Sequence, residues 1–249
     1  MTIRIAMWSG PRNLSTAMMY SFASRGDCRV VDEPFYAAYL HGTGADHPMR
    51  DAVLASQPSD PDDVAKDLIS PLLEPVFYQK HMTHHMLDGW DDMWMDEVQH
   101  VFLIRHPVRV VASYAKKREA PVLDDLGYAQ QMRIFDRVGG GTVVDSSDIR
   151  ADPKRMLEML CAEIGIAWTD KMLTWPAGGH PADGVWAAHW YNAVHASTGF
   201  DGPEGPMPHL DDNYARLANT AMPFYEALAA RKITLAGAPV PPATSVAAR

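Results

Sequence analysis

Two stretches of the sequence concentrate groups that bind anions. Ser9-Gly10-Pro11-Arg12-Asn13-Leu14-Ser15-Thr16 joins a short apolar run, Ile3 to Trp8, to a segment with helical spacing, Leu14 to Phe22, so it reads as a turn between a strand and a helix. Such a turn aims free backbone N–H groups and the positive end of the helix at whatever fills it, and an anion is the natural occupant. Arg12 adds charge, and Ser15 and Thr16 add hydroxyls. The stretch departs from the nucleotide-triphosphatase pattern G-x-x-x-x-G-K-[ST], because Leu14 and Ser15 stand where that pattern has its second Gly and its Lys. A Mg-nucleotide site is thereby weakened, while a phosphate cradle is retained. The alternative is an ordinary turn capped by Asn13 or Ser15.

The second stretch is Arg105-His106-Pro107-Val108-Arg109-Val110-Val111-Ala112-Ser113, which follows Val98 to Ile104, the densest run of strand-forming residues. Pro107 ends the strand and opens a helix, so Arg105 lies at the strand's end and Ser113 two turns along, where both can face one bound group. An arginine presents a planar fork suited to phosphate oxygens. On the alternative reading, Arg105 is a strand-end residue and Ser113 bonds its own helix backbone.

Other polar residues fall beside candidate strands. Glu33 follows Cys28 to Val31 and precedes Pro34, and Lys80 follows Val76 to Gln79. His81, His84 and His85 have i, i+3, i+4 spacing and share one face if that segment is helical. Such a cluster can bind zinc or nickel, but no Glu or Cys joins it at ligand spacing, and Asp88, Asp91 and Asp92 read as a solvated loop. No metal site is expected. Met82, Met86, Met93 and Met95 read as adaptable packing.

The elements that position these groups are short strands alternating with helices. Strands are expected at Ile3 to Trp8, Cys28 to Val31, Val76 to Gln79, Val98 to Ile104 and Thr142 to Val144. Helices are expected from about Pro61 to Leu73, Val108 to Lys117, Tyr128 to Val138, Pro153 to Ile164, and Asp211 to Arg231 with a break at Pro223. Phe35 to Gln57 and Trp168 to Pro208 read as variable, loop-rich segments. The alternation implies a three-layer α/β fold, a mainly parallel sheet with helices on both faces, which binds ligands at the carboxyl ends of its strands. A single domain is expected over residues 1–236, with an Ala/Pro-rich disordered tail at 237–249.

The chain has 249 residues, 47% hydrophobic and 21% charged, enough for a substantial core. Its net charge of −9 argues against general adhesion to nucleic acid or to an anionic membrane. Two cysteines, Cys28 and Cys161, far apart in apolar surroundings, give no disulfide framework, and no apolar run reaches the length of a membrane span. A cytoplasmic location is therefore expected.

Taken together, the two anion-binding stretches resemble the sulfotransferases that use 3′-phosphoadenosine 5′-phosphosulfate, members of the P-loop nucleoside triphosphate hydrolase-like fold. In that family the first loop grips the 5′-phosphosulfate end of the donor, and an R-x-P-x-x-x-x-x-S segment grips its 3′-phosphate. The resemblance assigns donor binding to Gly10, Pro11, Arg12, Asn13, Ser15, Thr16, Arg105 and Ser113. Val143 to Ile149, then Asp152-Pro153 and a helix, is similar to the family's strand, acidic turn and helix. Gly184-Val185-Trp186-Ala187-Ala188-His189-Trp190 resembles a late loop that closes over the adenosine, with Trp186 as its contact or, equally, a core aromatic. The basic residues that usually precede that loop are missing, so some 3′-phosphate contact is either lost or supplied by Lys117 or Arg118.

The resemblance implies in-line transfer of a sulfuryl group to a hydroxyl of a small metabolite, with no metal required. Arg12 and Lys80 are the cations expected on the leaving phosphate. The base is either Glu33, similar to the acceptor-side glutamate of carbohydrate sulfotransferases, or a histidine as in the cytosolic members, among which His81, His84 and His85 are candidates. Two other readings stay open, a kinase-like phosphotransferase on the same fold and a non-catalytic nucleotide-binding module. The expected partner is a small-molecule acceptor, with no nucleic acid and no membrane. Oligomeric state is open, a homodimer being one option.

Overall fold

Apolar side chains alternate along each strand and fix which face of the sheet each residue reaches. The structure, a computed structural model, describes residues 2–116 and 121–234, so the tail expected at 237–249 lies outside the described residues. Five strands, β1 (Ile3–Ser9), β2 (Cys28–Asp32), β3 (Val76–Met82), β4 (Gln99–Ile104) and β5 (Thr142–Asp145), form one sheet in the order β2-β3-β1-β4-β5, with every pairing parallel. The five expected strands are these five. The helices are α1 (Ser15–Ala23), α2 (Tyr36–Thr43), α3 (Arg50–Ser56), α4 (Pro61–Ile69), α5 (Pro107–Tyr114), α6 (Leu123–Leu126), α7 (Tyr128–Arg137), α8 (Ser146–Ala151), α9 (Pro153–Glu163), α10 (Ala187–Trp190), α11 (Asn192–His195) and α12 (Asp212–Ala229).

Ile5, Met7, Val76, Tyr78, Val101, Leu103 and Val144 face α1 and α9 and form one core with Met18, Phe22, Leu157 and Leu160. Ala6, Trp8, Phe77, Phe102, Ile104 and Val143 face the other way, against Val64 and Leu68 of α4, Ile134 and Phe135 of α7, and Leu228 of α12. The result is the expected three-layer α/β fold. From β1 the chain passes to β2 and β3 on one side and then to β4 and β5 on the other. The carboxyl rim between β1 and β4 is thus a switch point where connections diverge and leave a crevice.

Several boundaries differ from expectation for identifiable reasons. α4 stops at Ile69 because Pro71 pushes its predecessor out of helical geometry. α12 runs unbroken through Pro223, capped at Asp211, whose side chain accepts from the N–H groups of Asn213 and Tyr214. Its packing against α5 through Ala218 and Ala221 offsets the one backbone bond a proline cannot make. α2 and α3 fill a segment that reads as loop, and α8, capped by Asp145, fills what reads as an acidic turn. Most telling for function, β3 continues through Met82 and is followed by a 3₁₀ turn at Thr83–His85, so His81, His84 and His85 do not share a helix face.

Gly10 explains why β1 can end against a neighbouring loop: a Cβ there would lie 2.2 Å from the carbonyl oxygen of Leu126. Backbone cannot step aside as a side chain can. Gly10→Ala is expected to lower stability by about 1–3 kcal/mol, read as a shift in denaturant midpoint, whereas Gly202→Ala, which meets nothing within 4 Å, leaves the midpoint unchanged.

Candidate active site

The β1–α1 loop is built to leave N–H groups free. Arg12 and Leu14 adopt left-handed backbone conformations (φ 63° and 73°), and Leu14, the residue before α1, supplies no side-chain cap. Asn13 does not cap the helix either. Its side chain donates to the Leu103 carbonyl at 3.3 Å and ties the loop to β4. The first turn of α1 therefore presents its orphan donors and its positive end to the crevice.

β4 delivers Arg105 to the same place. Arg105 Nη1 donates to the Arg12 carbonyl at 2.7 Å, and Arg12 Nε donates to Ser113 Oγ at 3.0 Å. The two stretches that the sequence keeps apart thus meet on one rim of the sheet. Burial, and then the charge of Arg105, lowers the Arg12 pKa. Arg105 also donates from Nε and Nη2 to Glu204 Oε1, at 2.8 and 2.5 Å, and Arg109 Nε lies 2.8 Å from Glu204 Oε2.

Beneath the first loop lies a buried ionic cluster. Lys80, 1% exposed, places Nζ 2.7 Å from Asp32 Oδ1, 2.6 Å from Glu33 Oε1 and 2.6 Å from the Tyr191 hydroxyl. Tyr191 also lies 2.8 Å from Asp32 Oδ2 and accepts from Trp186 Nε1 at 3.0 Å. Glu33 is held by its backbone: φ is 43°, its N–H donates to the Lys80 carbonyl at 2.9 Å, and its own carbonyl accepts from Gln57. A non-glycine residue in that conformation is strained, and such strain collects at sites where a side chain must be aimed. Burial raises the Glu33 pKa; Lys80 opposes this, Asp32 adds to it, and the net direction is upward. Burial pulls the Lys80 ammonium down, but Asp32 and Glu33 outweigh it and the net shift is upward.

A cavity of about 340 Å³ connects these groups. It is lined by Pro11, Arg12, Asn13, Ser15, Thr16, Arg105 and Ser113 together with Glu33, Lys80, Tyr36, His47, His84, His85, Trp190 and Tyr191. Among the site residues expected from sequence, three do not line it. His81 points to the opposite face of β3, where it stacks on Trp8 at 4.5 Å and bonds Gln79, because alternation along the strand sends Lys80 and His81 to opposite sides. It is displaced from the list of candidate bases. Trp186 is 1% exposed in a core with Tyr36 and Leu40, so it supports Tyr191 from behind. Gly10 packs against the Leu126 carbonyl and serves the turn. Lys117 and Arg118 lie outside the described residues.

His85 remains at the cavity. Its Nδ1 is 4.0 Å from Glu33 Oε2, its ring stacks on Tyr36, and burial drives its pKa well down. Sequence reasoning missed Asp32, Tyr191, Arg150 and Glu204. Asp32 was visible as the end of β2, but nothing in the sequence links Tyr191 or Glu204 to residues so distant along the chain. Among the described residues no three His, Cys, Asp or Glu side chains group as metal ligands, and no helix is long and apolar enough to cross a membrane.

Comparison with known proteins bears on the family and the fold. The family model for the sulfotransferase domain matches residues 3–232. Two Arabidopsis thaliana proteins, branched-chain-amino-acid aminotransferase-like proteins 1 and 2, are 38% and 37% identical over 96% and 90% of this chain. The chain spans less than half of each relative, 44% and 41%, and their names describe the longer proteins. Two solved structures share the fold: the sulfotransferase domain of a Synechococcus olefin synthase (TM-score 0.51, 17% identity, 88% of this chain and 94% of that one) and a sulfotransferase from Alicyclobacillus acidocaldarius (TM-score 0.53, 12% identity, 94% and 98%). With a family match across nearly its whole length and the fold to accompany it, this chain belongs to the sulfotransferase domain family.

Proposed function

We propose that the chain transfers a sulfuryl group from 3′-phosphoadenosine 5′-phosphosulfate to a hydroxyl of a small acceptor. The observation that carries this reading is the meeting of Arg12, Arg105 and Ser113 beside the uncapped start of α1. Two anion grips on one rim suit a ligand with a phosphate at each end. In this reading the 5′-phosphosulfate lies in the β1–α1 loop, against Arg12 and the N–H groups of α1, and the 3′-phosphate lies toward Arg105.

The chemistry follows from where charge develops. The acceptor oxygen forms a bond to sulfur as the bond from sulfur to the phosphate oxygen breaks. The electron pair leaves on that phosphate, where Arg12 and the helix N-terminus stabilise it. The acceptor's proton passes to Glu33, whose raised pKa makes it a stronger base than an ordinary carboxylate. Lys80, expected from sequence on the leaving phosphate, has its ammonium taken up by Asp32, Glu33 and Tyr191 and acts instead as the positioning residue that keeps a second buried carboxylate tolerable. Tyr36, His47, His84 and Trp190 give the acceptor end an aromatic wall of a size suited to a small molecule. A kinase-like reading is disfavoured because the strand end where a Mg-binding acid would stand carries Arg105.

Incubation with labelled donor and pools of hydroxylated metabolites is expected to show acceptor-dependent transfer that Glu33→Gln reduces by about 10²–10⁴-fold with donor binding retained. Equal turnover by the two forms would remove Glu33 from the base role. Because the ionised form accepts the proton, kcat/KM should fall as pH drops through the Glu33 pKa, with that acid limb above the ordinary carboxylate range. Lys80→Met is expected instead to cost about 3–5 kcal/mol of stability, by leaving buried carboxylates unpaired, which a melting curve reads directly.

A further inference from the structure

Glu204 lies in a segment that is otherwise on the surface. Asp201, Gly202, Pro203, Gly205 and Pro206 are all exposed, yet the Glu204 side chain dips inward to 4% exposure. It ends among three guanidinium groups. Arg105 holds Oε1 through Nε and Nη2, Arg109 approaches Oε2 at 2.8 Å, and Arg150 lies 3.6 Å from Oε1. The flanking backbone is clasped as well, since Arg109 Nη2 donates to the Gly205 carbonyl and Arg150 Nε to the Gly202 carbonyl.

Against three arginines this segment brings one buried carboxylate, plus the exposed Asp201, 3.9 Å from Arg150. The cluster is therefore richer in positive charge than its present partner requires. A carboxylate presents two oxygens and one negative charge to an arginine fork, whereas a phosphate monoester brings three oxygens and close to two charges. Arg105 cannot offer the same N–H groups to both.

We propose that Glu204 is an internal stand-in for the donor's 3′-phosphate, and that the strap from Asp201 to Gly205 must lift from Arg105, Arg109 and Arg150 before the donor can seat. The proposal rests on the donor assignment above and adds to it a residue that sets donor affinity and an opening step. The strap selects for the doubly phosphorylated nucleotide, because a ligand without a 3′-phosphate leaves Glu204 in place. Its cost appears as a weakened apparent affinity, in proportion to the fraction of molecules with the arginines free.

The test is a calorimetric titration of the full chain with adenosine 3′,5′-bisphosphate and with adenosine 5′-monophosphate, comparing the native protein with Glu204→Gln and Glu204→Ala. Both variants are expected to bind the bisphosphate about tenfold more tightly and the monophosphate unchanged. In the native chain, a glutamate-specific protease should cut after Glu204 faster when the bisphosphate is present and at the basal rate with the monophosphate. Faster cutting distinguishes displacement of the strap from relief of charge repulsion with the strap in place. If the native chain and both variants bind the bisphosphate equally, or if binding leaves the cleavage rate unchanged, the strap is not a stand-in and the donor assignment survives. If none of the three binds the bisphosphate, the donor assignment fails and takes the strap with it.

Discussion

Arginines crowded together on the rim of a sheet are unstable company without an anion, and this constraint organises the molecule. Arg12 is brought to Arg105 by two left-handed residues in the β1–α1 loop, by the Asn13 bond to β4, and by a glycine that lets the chain pass under Leu126. Each device costs conformational freedom or backbone strain. Together they hold two cations and a helix N-terminus around one space, and charge in that space is the simplest reason for them. Glu204 satisfies part of the demand from within the chain.

The buried cluster at Lys80 solves a different problem with the same economy. A carboxylate poised to accept a proton must be kept from water, yet a buried carboxylate is costly unless paired. One ammonium shared between Asp32 and Glu33, with the Tyr191 hydroxyl reaching both, pairs the two acids. Burial, with Asp32 alongside, raises the Glu33 pKa against the pull of Lys80. Trp186 belongs to this arrangement as the donor that fixes Tyr191.

Much of this was legible in the sequence because it depends on local rules. The five strands, the parallel sheet and the pairing of Arg12 with Arg105 follow from apolar runs ended by turn residues, and from the habit of parallel sheets to gather function at their carboxyl rims. The misreadings arose where long-range packing decided the outcome. His81 looks like one member of a helical histidine cluster until β3 is seen to run three residues past the expected Gln79, to Met82, which turns the ring into the core against Trp8. Trp186, which the resemblance leaves open as either an adenosine contact or a core aromatic, falls in the core with Tyr36 and Leu40. Glu204 gave no signal at all, since an isolated acid in a Gly/Pro-rich loop resembles any solvated side chain until the fold sets three arginines beneath it.

The central claim is that both grips hold one molecule. Adenosine 3′,5′-bisphosphate should bind the native chain at least tenfold more tightly than either the 3′- or the 5′-monophosphate, as charge-assisted hydrogen bonds at a second phosphate would require. In Arg105→Ala the advantage over the 5′-monophosphate should vanish while affinity for the 5′-monophosphate persists. A bisphosphate that binds no better than the 5′-monophosphate, or an advantage untouched by loss of Arg105, would contradict the account.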